Sequence, residues 1–115
     1  MTNQEMPIFA KTFDLLMWLL PATEKFPRAH RFTLTKRMLD AAFDLREQLE
    51  EAQYRSGKER LERLTQADAS LGKLRLYVRL AARMEWLKAG QYQHVAQMTS
   101  EVGKLLGGWK KVTKS

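Results

Sequence analysis

The clearest helical signal in the chain is TLTKRMLDAAFDLREQLEEA, from Thr33 to Ala52. Leu34, Met38, Ala42, Leu45, Leu49 and Ala52 advance by four, four, three, four and three residues, the repeat of one helix face. The opposite face carries Asp40, Asp44, Glu47, Glu50 and Glu51, mixed with Arg37 and Arg46. A helix so divided must lay its apolar stripe against other helices. Thr33 is the expected N-cap, and Ser56-Gly57 marks the break that follows.

Further along, Lys58 to Ala89 contains no proline and one glycine, Gly72. Leu61, Leu64, Ala67, Leu71, Leu74, Val78 and Ala81 form its stripe, continued by Met84 and Leu87, with Gly90 as the stop signal. The last helix is expected from Gln91 to Leu106 on Val95, Met98, Val102 and Leu105. Gly107-Gly108 would end it, Trp109 would fold back onto the core, and Lys110 to Ser115 would form a flexible basic tail. In the other direction Pro7 suits the first position of a helix with a broad apolar face, Phe9, Phe13, Leu16 and Leu20 with Ile8, Leu15 and Leu19 beside them. Pro21 should kink or end it, and Phe26-Pro27 forces a break between Phe26 and Phe32. No segment alternates with a period of two. The expectation is an all-α chain, one up-and-down antiparallel four-helix bundle over residues 1–109.

Composition supports one globular domain: 115 residues, 44% hydrophobic, three prolines and six glycines. The absence of cysteine excludes disulfides, thiolate nucleophiles and cysteine metal sites, and favours a cytosolic protein. Lys11, Thr12 and Asp14 interrupt the apolar run from Ile8 to Leu20, so no membrane span is expected. The first seven residues carry Glu5 and no base, unlike a signal peptide.

The net charge of +7 is unevenly spread. The first 72 residues balance 11 Lys/Arg with 11 Asp/Glu, whereas the last 43 hold nine bases against Glu85 and Glu101 alone. Such a footprint fits a nucleic-acid binder, but from charge alone a bundle with a basic surface is the commoner reading, since net charge speaks as much to solubility and non-specific attraction. Three basic groups are candidates for contact. Arg75, Arg79 and Arg83 recur every fourth residue and make a row on the third helix, with Lys73 close in sequence. Phosphates would compensate that row, as would acidic side chains of this chain or of a neighbouring subunit. Lys104, Lys110 and Lys111, with Lys114, have only Glu101 near them in sequence. Arg28, Arg31, Lys36 and Arg37 surround the first loop and the start of the second helix, where the dipole disfavours cations unless an anion is present.

Catalytic chemistry finds no support. His30 and His94 stand alone, no serine lies in a nucleophile turn, and no glycine-rich phosphate loop is present. Glu47, Glu50 and Glu51 read as solvated surface rather than a cation site. Neither metal nor cofactor is expected. Phe43, Tyr54, Tyr77, Leu80, Trp86 and Tyr92 lie off the main stripes and point to self-association.

Lys25-Phe26-Pro27-Arg28, then Arg31-Phe32-Thr33-Leu34, and Glu101 to Trp109 with its Gly-Gly-Trp end, resemble the accessory variability determinant family of diversity-generating retroelements. Lys58, Leu64, and Leu71 through Arg79 to Arg83 fit the same pattern, so the resemblance spans nearly the whole chain. Thr35 departs from it, standing where that family commonly has glycine. Four-helix proteins encoded in intervening sequences of 23S ribosomal RNA genes share the fold and part of the pattern. The resemblance implies a barrel-shaped homopentamer without enzyme activity, in the cytoplasm of a bacterial, archaeal or phage-infected cell. It further implies binding of the element's reverse transcriptase and of RNA or DNA, in support of mutagenic copying of template RNA into cDNA and retrohoming. Arg79 and Arg83 would be the family's third-helix arginines and Trp109 its terminal tryptophan. A protein-binding scaffold whose positive charge meets an acidic partner is the alternative from another class.

Overall fold

The computed structural model describes residues 6–114, so Ser115 of the expected tail lies outside the described residues. Four helices follow one another: α1 (Pro7–Thr23), α2 (Lys36–Gln53), α3 (Gly57–Arg83) and α4 (Ala89–Val112). Each packs on its sequence neighbours, and α4 closes back onto α1. Pairs across the α1–α4 and α2–α3 seams run in opposite senses. Phe9 meets Trp109 while Trp18 meets His94, and Arg60 reaches Ala52 while Ser70 reaches Gln48. The result is an up-and-down antiparallel four-helix bundle with extents of 43 × 25 × 22 Å, and no strand occurs among the described residues.

Of the stripe read for the second helix, Met38, Ala42, Leu45, Leu49 and Ala52 are buried, joined by Ala41, while Leu34 lies in the turn before α2 and is half-buried. On α1 the buried face is Ile8, Phe9, Thr12, Leu15, Leu19 and Thr23, so Phe9 and the residues beside the expected row turn inward, while Phe13 and Leu20 of that row stand exposed with Met17. A helix apolar nearly all round does not announce its inner face by hydrophobicity. The inner threonines are tolerated because Thr12 donates to the Ile8 carbonyl at 2.8 Å and Thr23 to that of Leu20 at 3.1 Å. Pro21 lies within α1 on its exposed side, and the helix continues two residues past it.

Every break is placed by local geometry. Thr33 is not the N-cap of α2. A 3₁₀ turn (Arg28–His30) leads into a wide π turn (Arg31–Thr35), which feeds α2 directly, and the Thr33 hydroxyl bonds back to the His30 carbonyl. The α3 helix ends at Arg83 instead of near Ala89. Glu85 adopts a left-handed conformation at φ 64°, its N–H bonds to the Ala82 carbonyl, and the Trp86 N–H bonds to that of Ala81. That is a Schellman termination with glutamate in glycine's usual place. Gly90 belongs to the first turn of α4, where the Lys88 N–H donates to Gln91 Oε1 at 2.8 Å.

The α4 helix runs through Gly107-Gly108 to Val112, so Lys110 and Lys111 are helical rather than part of a tail. Burial of Trp109 overrides the weak helix propensity of the glycine pair. Its ring meets Phe9 edge-on at 6.0 Å, and the Arg60 guanidinium sits 5.8 Å over it. Arg60 also donates to the Ala52 and Gln53 carbonyls at the end of α2. Arg46 performs the corresponding task between α1 and α2, donating to the Phe9 carbonyl at 2.9 Å and pairing with Glu50.

Candidate nucleic-acid interface

The basic residues fall into three neighbourhoods. Arg75 and Arg79 line a shallow groove of about 330 Å³ between α3 and α4, shared with Tyr92, Ala96, Thr99 and Ser100. Arg75 is partly used internally. Its Nη2 donates to the Thr99 carbonyl at 3.2 Å and lies where a Cβ on Gly103 would come within 2.7 Å. Gly103 therefore makes room for the arginine to cross the seam. Arg79 and Arg83 are exposed and make no ion pair or side-chain hydrogen bond among the described residues. Glu101, a possible internal partner, lies 3.6 Å from Lys11 instead. Lys104 is exposed on α4.

Lys73 does not join this row. It lines a separate hollow on the α2 side of α3, together with Arg37, Asp40, Asp44 and Tyr77. Two positions along a helix are some 200° apart in rotation, so sequence nearness to Arg75 misleads. The flanking aspartates also temper the positive field there, and Lys36 is spoken for by Asp40 at 2.7 Å. Lys110 is likewise committed, to Asp68 at 3.3 Å, whereas Lys111 is exposed.

The third neighbourhood is the end of the bundle where α1 gives way to α2 and α3 to α4. Trp86 tilts against His30 at 4.9 Å and Phe26 at 5.4 Å, which joins the first loop to the α3–α4 turn. Arg28 and Arg31 flank that stack, and Arg83 ends α3 three residues before Trp86. The aromatic clamp thus brings two sequence-distant basic groups to one end of the bundle. Sequence periodicity carried no sign of this, because both partners lie outside regular helix. Among the described residues no three His, Asp or Glu side chains are placed to share a metal ion, and no helix is long and apolar enough to cross a membrane.

The fold and surface define an antiparallel four-helix bundle with separate cationic neighbourhoods along one seam and at one end. The chain belongs to the bAvd-like family, whose sequence model matches residues 6–113. In three dimensions it resembles a protein of unknown function from the S23 ribosomal protein family of Bacteroides thetaiotaomicron, with TM-score 0.83, 17% identity, and 92% of this chain and 96% of that chain covered. That likeness is one of fold. No curated protein matches the sequence.

Proposed function

We propose that the protein is a non-catalytic accessory of a diversity-generating retroelement, binding nucleic acid and the element's reverse transcriptase to support mutagenic reverse transcription. The observation that carries this reading is the pair Arg79 and Arg83, exposed and without an acidic partner among the described residues. Like charges four residues apart destabilise a helix unless an anion compensates them, and a phosphate backbone supplies one. Membership of the bAvd-like family supports the retroelement context. The contribution to copying is positional: a rigid cationic bundle holds template RNA or cDNA while another surface grips the polymerase.

The active form is a homo-oligomer, with a pentameric ring as the proposed state. Exposed Phe13 and Met17 make an apolar ridge on α1, and Leu76 and Leu80, continued by Met84 just past the helix end, make another on α3. The two helices are not sequence neighbours around the bundle, so the ridges face different directions. Unlike patches on different sides of one subunit suit head-to-tail contacts, which form a ring where the rotation between subunits closes and an open filament where it does not. Tyr77, Trp86 and Tyr92 pack on the core and give no support to this contact, while Phe43, Tyr54 and Leu80 are exposed.

The α3 ridge lies beside the arginine row, which supports a second reading: Arg79 and Arg83 could meet acidic residues of a neighbouring subunit or another protein. RNA titrations across a salt series separate the two. Replacing Arg79 and Arg83 with glutamine should weaken RNA binding and flatten the log–log salt slope by about two. An unchanged slope in a folded double variant would assign both arginines to protein contacts. Co-purification of polymerase and this protein after nuclease treatment tests the direct partnership, and loss of the complex on RNA digestion would refute it.

A further inference from the structure

Between the end of α1 and the start of α2 lies a groove of about 320 Å³. Leu20, Phe26 and Leu39 give it apolar walls, and Arg28, Arg31 and Thr35 complete the lining that matters here. Thr35 is the anomaly. It is 9% exposed, and its Oγ1 is buried without a hydrogen-bond partner among the described residues. Thr12, Thr23, Thr33, Thr65, Thr99 and Thr113 all return their hydroxyls to a carbonyl of the preceding turn. Thr35 closes the π turn and does not, and a desolvated hydroxyl without a partner lowers stability. Turns of this wide kind recur at functional sites. Arg28 and Arg31 are also without ion pairs among the described residues, although Glu24 lines the same groove.

Apolar walls, two guanidinium forks and a hydroxyl able both to donate and to accept match the parts of one unstacked nucleotide. The volume sits at the low end of the roughly 300–1,000 Å³ of ordinary small-ligand sites, which suits one nucleotide and not a duplex. We propose that this groove holds one flipped-out base of a single-stranded nucleic acid, with flanking phosphates on Arg28 and Arg31 and the Thr35 hydroxyl, buried in the free protein, rotating about χ1 into the groove to bond the base edge. The proposal rests on the nucleic-acid reading above and adds a preference for single strands. Phe32, 79% exposed beside Arg31, offers its ring to an adjacent base. Glu24 repels phosphate from its own side and so biases the backbone towards the arginines.

The test compares the full chain with two variants, Thr35→Val and Arg28→Gln/Arg31→Gln, on a single-stranded RNA of about 12 nucleotides and on the same sequence as a duplex. The unaltered protein should bind the single strand roughly tenfold tighter, the scale of one base contact. Thr35→Val should weaken single-strand binding several-fold, leave duplex binding unchanged and raise the melting temperature, since an orphaned hydroxyl is gone. The double arginine variant should lose single-strand affinity and about two units of salt slope. Equal binding of both forms by the unaltered protein, or full single-strand affinity in Thr35→Val, would overturn the groove and leave the nucleic-acid reading intact. Binding of neither form at low salt would overturn both. An acidic peptide that occupies the groove while single-strand RNA binding is unaffected would also overturn the proposal.

Discussion

At the scale of single residues, Glu85 shows how the chain tolerates strain in order to turn. The left-handed region costs a residue with a Cβ roughly 1–2 kcal/mol, a cost glycine avoids. Glu85→Gly should therefore stabilise the protein by about 1 kcal/mol, read as a higher denaturant midpoint at unchanged slope. A loss of stability would mean that the Glu85 side chain makes a contact worth more than the strain. This residue also hides the end of α3 from the sequence. With no glycine at position 85, the helical pattern runs on through Met84 and Leu87 to Gly90, and the termination is visible only in the hydrogen bonds of Glu85 and Trp86. Arg46 and Arg60 were equally hidden. Each is one charge among many in the sequence, yet each spans a seam and serves carbonyls of another segment. The basic residues were legible as a group, but which were free and which were committed depended on long-range partners such as Lys11 for Glu101 and Asp68 for Lys110.

At the scale of elements, the α2 stripe was legible because its two faces differ so sharply in polarity, and the number of helices followed from the apolar repeats. The inner face of α1 was not, since helix periodicity is carried by contrast and α1 has little. The end of α4 is hidden for a different reason: glycines weaken a helix locally, and burial of Trp109 between Phe9 and Arg60 outweighs them. That excess can be measured. A Cβ at Gly72 or at Gly107 would meet nothing within 4 Å, so alanine gains propensity there without collision. Gly72→Ala and Gly107→Ala should each add roughly 0.5–1 kcal/mol, checked by thermal melts. Gly103→Ala is the informative contrast, because its Cβ displaces the Arg75 guanidinium and exchanges a bond to Thr99 for the same propensity gain.

At the scale of the whole molecule, the apolar ridges on α1 and α3 predict that charge placed on either separates the subunits without unfolding them. Leu80→Glu and Met17→Glu should each yield a species near 13.4 kDa by light scattering, with helix content retained, while the unaltered chain scatters as a larger assembly. A 13.4 kDa mass for the unaltered chain at micromolar concentration would reject self-association. The way the bundle closes has a kinetic side as well. Its seams are unequal, with α2 and α3 sharing the most extensive contact and α1 joined more sparingly to α2 and α4. Contacts between adjacent helices cost little loop-closure entropy, so the α2–α3 hairpin should form early and α1, whose seam with α4 spans the greatest chain separation, should dock late. Leu49→Ala and Leu64→Ala would then slow folding, whereas Leu19→Ala would chiefly speed unfolding. On this order of events the surface carrying Phe13 and Met17 is completed last, so subunits would not associate through it until α1 has docked.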